Sequence, residues 1–198
     1  MIQQAGQTDE DLLRAMLEGD EEAFTLLYRR TQGGIYRFAY QMSGSAAAAE
    51  DVVQEVFLTL IREGHKYDIR RGTFRAYLYG IARNNVARLK SRKSEAAKDL
   101  EDPASPADGP LEAATRDEEI RAVQNAVLAL PAHYREAVVL CDLQEASYAE
   151  AAEALGCAVG TVRSRLHRGR ELLAERLRPR PANGTAEGIA GRARGWTL

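Results

Sequence analysis

The segment VGTVRSRLHRGR, residues 159–170, interleaves aliphatic side chains with the donors that grip a polyanion. Wound as a helix, it lines Val159, Val162 and Leu166 along one apolar stripe. Arg163, Ser164, His167, Arg168 and Arg170 are left outside, with Arg165 counted among the same contacts. Guanidinium forks match guanine edges and phosphates, and Thr161 with the helix amino end can hold a phosphate. Just upstream, Ser147 and Glu150 stand at capping-box spacing, where hydroxyl and carboxylate each satisfy an orphan amide. Ala151 and Leu155 face inward on that short helix, Gly156 supplies a left-handed turn, and the small Ala151 and Ala152 permit a close crossing. The pair reads as a helix-turn-helix whose second helix enters DNA. An amphipathic helix with a cationic solvent face has the same pattern; the capped helix and the turn before it favour DNA.

A second group of donors lies in HKYDIRRGTFRAYLYGIARNNVARLKSRK, residues 65–93. Thr73 can cap a helix from Phe74 to about Lys93, with Phe74, Tyr77, Leu78, Ile81 and Ala82 in the core and Arg75, Arg83, Asn84, Arg88 and Lys90 exposed. The loop before it carries Tyr67, Arg70 and Arg71, which can take a flipped single-stranded base by stacking and hydrogen bonding. The Asn84 amide offers a base edge both a donor and an acceptor. Tyr67 fits partial core packing equally well.

The formal net charge of -2 hides this distribution. Between Arg62 and Lys93 the basic residues face only Glu63 and Asp68; between Arg163 and Arg180 they face only Glu171 and Glu175. The charged residues between 95 and 119 are mostly acidic. Two basic surfaces across an acidic spacer suit two contacts on one polyanion, although such charge can also merely solvate helices.

AEDVVQEVFLTLIR places Val52, Val53, Val56, Phe57, Leu60 and Ile61 on one broad buried face and leaves Asp51, Gln54, Glu55 and an exposed Leu58 on the other. Acidic with one apolar residue, that second face suits a basic protein helix better than DNA, or it is a plain surface helix. No catalytic grouping is present. Cys141, Cys157, His65, His133 and His167 form no disulfide framework, nucleophile motif, metal site or cofactor site. No apolar run approaches the roughly 20 residues of a membrane span, and the start MIQQAGQTDEDLL lacks the features of a signal peptide, so a cytoplasmic location without membrane insertion is expected.

Apolar residues recur at three and four positions almost throughout, so the fold class is all-α. Helices are expected from Asp9 or Asp11 to near Gly19, from Asp20 with loosening at Gly33 and Gly34, from about 47 to 63, and from 74 to about 93. The stretch KDLEDPASPADGP cannot bury enough surface to order itself. Periodicity returns at Ile120, Val123, Val127 and Leu130; Pro131 opens a helix with Val138, Val139 and Leu140 buried, and helices over 147–155 and about 159–177 follow. The expected organisation is a helical domain over 8–94, an acidic flexible linker over 95–118, a second helical domain over 119–178 and a disordered tail over 179–198.

LPAHYREAVVLCDLQEASYAEAAEALGCAVGTVRSRLHRGRELL closely resembles region four of the extracytoplasmic-function sigma factors of bacterial RNA polymerase, and AEDVVQEVF with HKYDIRRGTFRAYLYGIARNNVARLKSRK resembles their region two. The resemblance implies that Arg163, Ser164, His167 and Arg168 contact the minus-thirty-five promoter element. It implies that the loop and helix carrying Tyr67, Arg70, Arg71, Arg75, Arg83, Asn84 and Arg88 melt and read the minus-ten element. Asp51, Gln54, Glu55 and Leu58 would then dock on the clamp helices of the largest polymerase subunit, the second domain would reach the flap of the second largest, and an anti-sigma factor would cover both domains. The chain departs from the family in three places: Cys157 and Ala158 replace a frequent serine cap, Ala151 a usual isoleucine, and Arg88 a common aspartate. A stand-alone helix-turn-helix regulator with an N-terminal protein-interaction domain is the alternative.

Overall fold

A computed structural model describes residues 7–98 and 116–178; most of the expected linker, and all of the expected tail, lie outside the described residues. Helix α1 (Asp9–Leu17) starts at Asp9, the first of the two expected acids, where Thr8 and Asp11 form a capping box. Asp20 opens α2 (Glu21–Ser43) as expected, its carboxylate accepting the Glu22 and Ala23 amides at 2.9 and 3.0 Å. The expected loosening at Gly33 and Gly34 does not occur. Buried Ile35, Phe38 and Ala39 carry the helix through, and a Cβ on Gly34 would lie 3.1 Å from the Tyr79 hydroxyl, so the missing side chain admits a neighbour.

Ser45 caps α3 (Ala46–Glu63), and two 3-10 turns, Gly64–Lys66 and Ile69–Arg71, lead to α4 (Phe74–Lys98), whose first turn is capped by the Thr73 hydroxyl. Helix α4 runs beyond the expected end at Lys93, and α5 (Arg116–Leu128) starts before the second domain's expected boundary, so helix takes both ends of the expected linker. Leu12, Leu27, Phe38, Val52, Val56, Leu60 and Phe74 are almost fully buried between α1 and α4. Burial of each such side chain contributes about 1.5–3 kcal/mol.

The C-terminal half consists of α5, α6 (Ala132–Val138), a π-helical turn (Val139–Leu143), α7 (Tyr148–Leu155) and α8 (Val159–Leu177). In the π turn the Gln144 amide donates to the Val139 carbonyl at 2.9 Å, and Glu145 follows with a left-handed φ of 54°. The capping box of Ser147 with Glu150 and the left-handed Gly156, φ 62°, form as expected. Ala151 and Ala152 are buried, and α8 also comes close to α6 at Gly169, where a Cβ would lie 2.7 Å from a Val138 methyl.

Four expected core positions are open. Ile61 (54% exposed) lies at the edge of the α3 face, beside a groove; Val159 (36%) begins α8 ahead of its packed turns; Ile120 and Val123 lie on α5 before burial starts at Ala126. In each case the periodicity outlasts the neighbour. The two halves also share one core, since Leu78, Tyr79 and Ala82 of α4 belong to the same buried cluster as Val139, Leu140, Ala151 and Leu155. Arg135 of α6 ties them further, donating to the Met42 carbonyl at the end of α2 at 2.9 Å and to the Leu128 and Leu130 carbonyls at the end of α5.

Candidate nucleic-acid and protein interfaces

Helix α8 exposes Arg163, Ser164, His167, Arg168 and Arg170, while Thr161 and Arg165 are half-buried. The Arg163 guanidinium lies 5.8 Å from the centre of the Tyr148 ring of α7, so an aromatic face holds it toward the outer surface. Arg168 donates to Glu171 at 2.8 Å, and His167 Nε2 lies 3.3 Å from the other oxygen of that carboxylate. The hydrogen bond from Arg168 holds the Glu171 carboxyl below the usual range. Arg170 makes a two-pronged pair with Asp142, at 2.6 and 3.1 Å, so it braces α8 against the π turn. Ala158 precedes α8 without a side-chain cap, in keeping with the expected loss of a serine there.

The loop before α4 is tighter than an open base-stacking platform. Tyr67 donates to the Gly72 carbonyl at 3.1 Å, and its ring packs against Phe74 and Tyr77 at 5.5 and 5.3 Å. Burial, with the Glu10 carboxylate nearby, pushes its hydroxyl up to about 12. Arg70 clasps Asp68, while Arg71, Asn84 and Arg88 are exposed. A cavity of about 430 Å³ is lined by Tyr67, Arg71, Thr73, Tyr77, Asn84 and, from α7, Glu153.

Two residues expected to be open are engaged by the other half. Arg83 is half-buried and donates to Glu136 at 2.8 Å; the Arg75 guanidinium donates to the Gln144 carbonyl and lies 5.6 Å from the Tyr79 ring. Asn85, which carried no expectation, is buried with its Nδ2 unpartnered.

On α3, Asp51, Gln54 and Glu55 are exposed, but Leu58 is half-buried, because it lines a groove of about 730 Å³ between α2 and α3. Phe24, Tyr28, Val53, Phe57 and the exposed Ile61 line the same groove. Phe57 packs edge-on to Phe24 at 6.1 Å and against Tyr28 at 4.6 Å, so aromatic surface lies beside the acids. Glu50 and Arg37 are the charged residues that line it, so an apolar groove on the helix that also exposes Asp51 and Glu55 suits an amphipathic protein helix better than DNA.

Residues 27–95 match the family Sigma-70 region 2, and residues 120–173 match Sigma-70, region 4. The chain is 34% identical over 178 residues to the ECF RNA polymerase sigma factor SigW of Bacillus subtilis, an alignment that covers 84% of this chain and 95% of that one. The chain belongs to the extracytoplasmic-function sigma factors. This sigma factor is also 38% identical over 156 residues to SigE of Mycolicibacterium smegmatis, covering 76% of this chain and 60% of that longer protein. Among solved structures it is similar to the sigma factor RpoE in complex with the anti-sigma factor NepR from Bartonella quintana, with a TM-score of 0.67, 26% identity, and coverage of 79% and 97% of the two chains. CnrH in complex with the cytosolic domain of CnrY gives a TM-score of 0.66, 26% identity and coverage of 84% and 95%.

Several residues that shape the surfaces of this sigma factor carried no expectation: Tyr148, Glu171, Glu136, Gln144 and Glu153. Glu171 was open to discovery, since it follows His167 and Arg168 at helical pair spacing. Glu136, Gln144 and Glu153 meet α4 or its cap from far along the chain, where spacing says nothing. Among the described residues no helix is long and apolar enough to cross a membrane.

Proposed function

We propose that this sigma factor directs promoter-specific initiation through two tethered contacts with DNA and one with core RNA polymerase, acting in the cytoplasm by binding rather than catalysis. Thr161, Arg163, Ser164, Arg165, His167 and Arg168 read the minus-thirty-five duplex. Tyr67, Arg70, Arg71, Arg75, Arg83, Asn84 and Arg88 hold the unpaired minus-ten strand, and Asp51, Gln54, Glu55 and Leu58, beside the α2–α3 groove, dock on the clamp helices. The second domain meets the polymerase flap. Joining two weak DNA contacts on one chain raises the effective concentration of the second once the first is made.

The observation that carries this reading is that one chain presents an apolar, aromatic-lined groove beside a helix with exposed acids together with basic surfaces suited to DNA. A stand-alone regulator with an N-terminal protein-interaction domain would instead bind DNA without core enzyme. In-vitro transcription with purified core enzyme and a promoter library should give start-site-specific transcripts; none, with a control sigma factor active, overturns the reading. An anti-sigma factor is a further partner, supported by the complexes of RpoE with NepR and of CnrH with CnrY. Recovery of only core polymerase subunits from native cells under every growth condition would count against it.

A further inference from the structure

Helix α8 carries an acid among its outward donors. Glu171 is exposed, and its two oxygens go to two different residues: Arg168 Nη1 donates to Oε2 at 2.8 Å, and His167 Nε2 stands 3.3 Å from Oε1. The imidazole meets that oxygen as a donor, since two acceptors would repel. All three side chains share a face, because residues three and four apart on a helix are neighbours. The hydrogen bond from Arg168 holds the carboxyl below its usual range, so it is ionised at neutral pH. Pairs as exposed as these add little to stability, so the fold has small need of this one. Arg163, near the start of the same face, is held instead by the Tyr148 ring, which carries no charge.

A fixed carboxylate beside a guanidinium treats two kinds of acceptor differently. A phosphate oxygen bears a full negative charge and is repelled by it, whereas guanine O6 and N7 bear only partial charges and are repelled far less. A fork already held in place also loses less freedom on binding. We propose that Glu171 is a positioning residue that sets base specificity: it turns Arg168, and with it His167, away from phosphates and toward neutral base edges, guanine for the Arg168 fork. The inference rests on the reading of α8 as the helix that reads duplex DNA. Without the carboxylate, Arg168 is free to pair with any phosphate in reach. The chain then grips every duplex more firmly and distinguishes them less well. Salt gives a second signature, since one more neutralised phosphate steepens the slope of log affinity on log salt by about one.

The test selects bound sequences from a randomised duplex pool with the full chain, and measures affinity for the unselected pool by fluorescence anisotropy across a salt series. The parent should enrich a short motif, and Arg168→Ala should erase its preference for guanine at one or two positions. Glu171→Gln should weaken the preference at those same positions by about fivefold or more, the lower end of what one bidentate contact discriminates, while binding the unselected pool several-fold more tightly. Its melting temperature should stay at the parent value, and Glu171→Asp, which keeps the charge, should restore most of the preference. Glu175→Gln removes the same charge one turn further along the exposed side of α8 and controls for net charge. A Glu171→Gln variant that matches this control in base preference and pool affinity overturns the positioning role. So does a loss spread evenly over the motif, which a merely structural acid would give, or an Arg168→Ala variant that keeps every preference. A different failure marks the reading of α8 itself: a parent that enriches nothing, or an Arg163→Ala variant that leaves both motif and affinity intact, overturns that reading and the proposal with it.

Discussion

Helices α4 and α8 carry the same kind of side chain and stand in opposite situations. On α8 the arginines answer to neighbours within their own domain: Arg163 to the Tyr148 ring, Arg168 to Glu171, Arg170 to Asp142. On α4, Arg75 and Arg83 answer to residues 69 and 53 positions away in the other half of the chain. A basic stretch therefore counts donors without saying which are available. One helix is braced from within its own domain, and the other is engaged by the opposite half.

The contrast can be broken most severely by removing the support under α8. Leu166, 2% exposed, lies in a small cluster with Leu130, Ala137 and Val138, apart from the core the halves share. Leu166→Ala should cost about 2–5 kcal/mol in urea denaturation, with amide exchange quickening on α8 while α1 to α3 keep their protection. Next in size is Arg163→Ala, expected to cost about 1–3 kcal/mol in binding to a minus-thirty-five duplex. Arg83→Ala should have almost no effect on duplex binding, and equal losses from the two would erase the distinction. Ser147→Ala removes half of the capping box under α7 and should lower stability by about 1 kcal/mol without changing the face of α8.

Acid titration sharpens the same boundary. Burial alone would raise the Glu150 carboxyl, but hydrogen bonds from the Ser147 backbone and side chain outweigh it and hold the group below its ordinary range. The folded state thus favours the carboxylate. Its contribution to stability is complete above the ordinary glutamate value and is lost as pH falls through that value toward the lower folded one. A stability–pH curve should show this loss in the parent and a smaller one in Glu150→Gln. The smallest effect is expected from Asp142→Asn, which unpairs Arg170 at an exposed position and should cost about 0.2–1 kcal/mol, shrinking further in high salt.

What the sequence discloses divides along the range of the interaction. Asp20, Ser45, Thr73, Ser147 with Glu150, and Gly156 act on amides or dihedrals within a few positions, and each does what its local pattern predicts. Ile61, Val159, Ile120 and Val123 do not, because period marks which face is apolar but not how far the covering helix extends. Gly33 and Gly34 read as weakness in isolation, yet Gly34 is where Tyr79 approaches. Among the candidate site residues the outward set on α8 was legible. Leu58 and Arg83 are half-buried rather than exposed, and Arg75, exposed as expected, has a partner the sequence did not foreshadow, since a groove or a distant domain decides their environment.

The π turn at Val139–Leu143 has a consequence of its own. Such a turn is a helix carrying one surplus residue, and one residue of helix corresponds to a rotation of about 100°. Deleting a single position within it would swing Gln144 away from both Tyr79 and Arg75 and would also displace Asp142, the partner of Arg170 on α8. The hold of the two halves on each other and the brace under α8 thus both depend on the length of one turn.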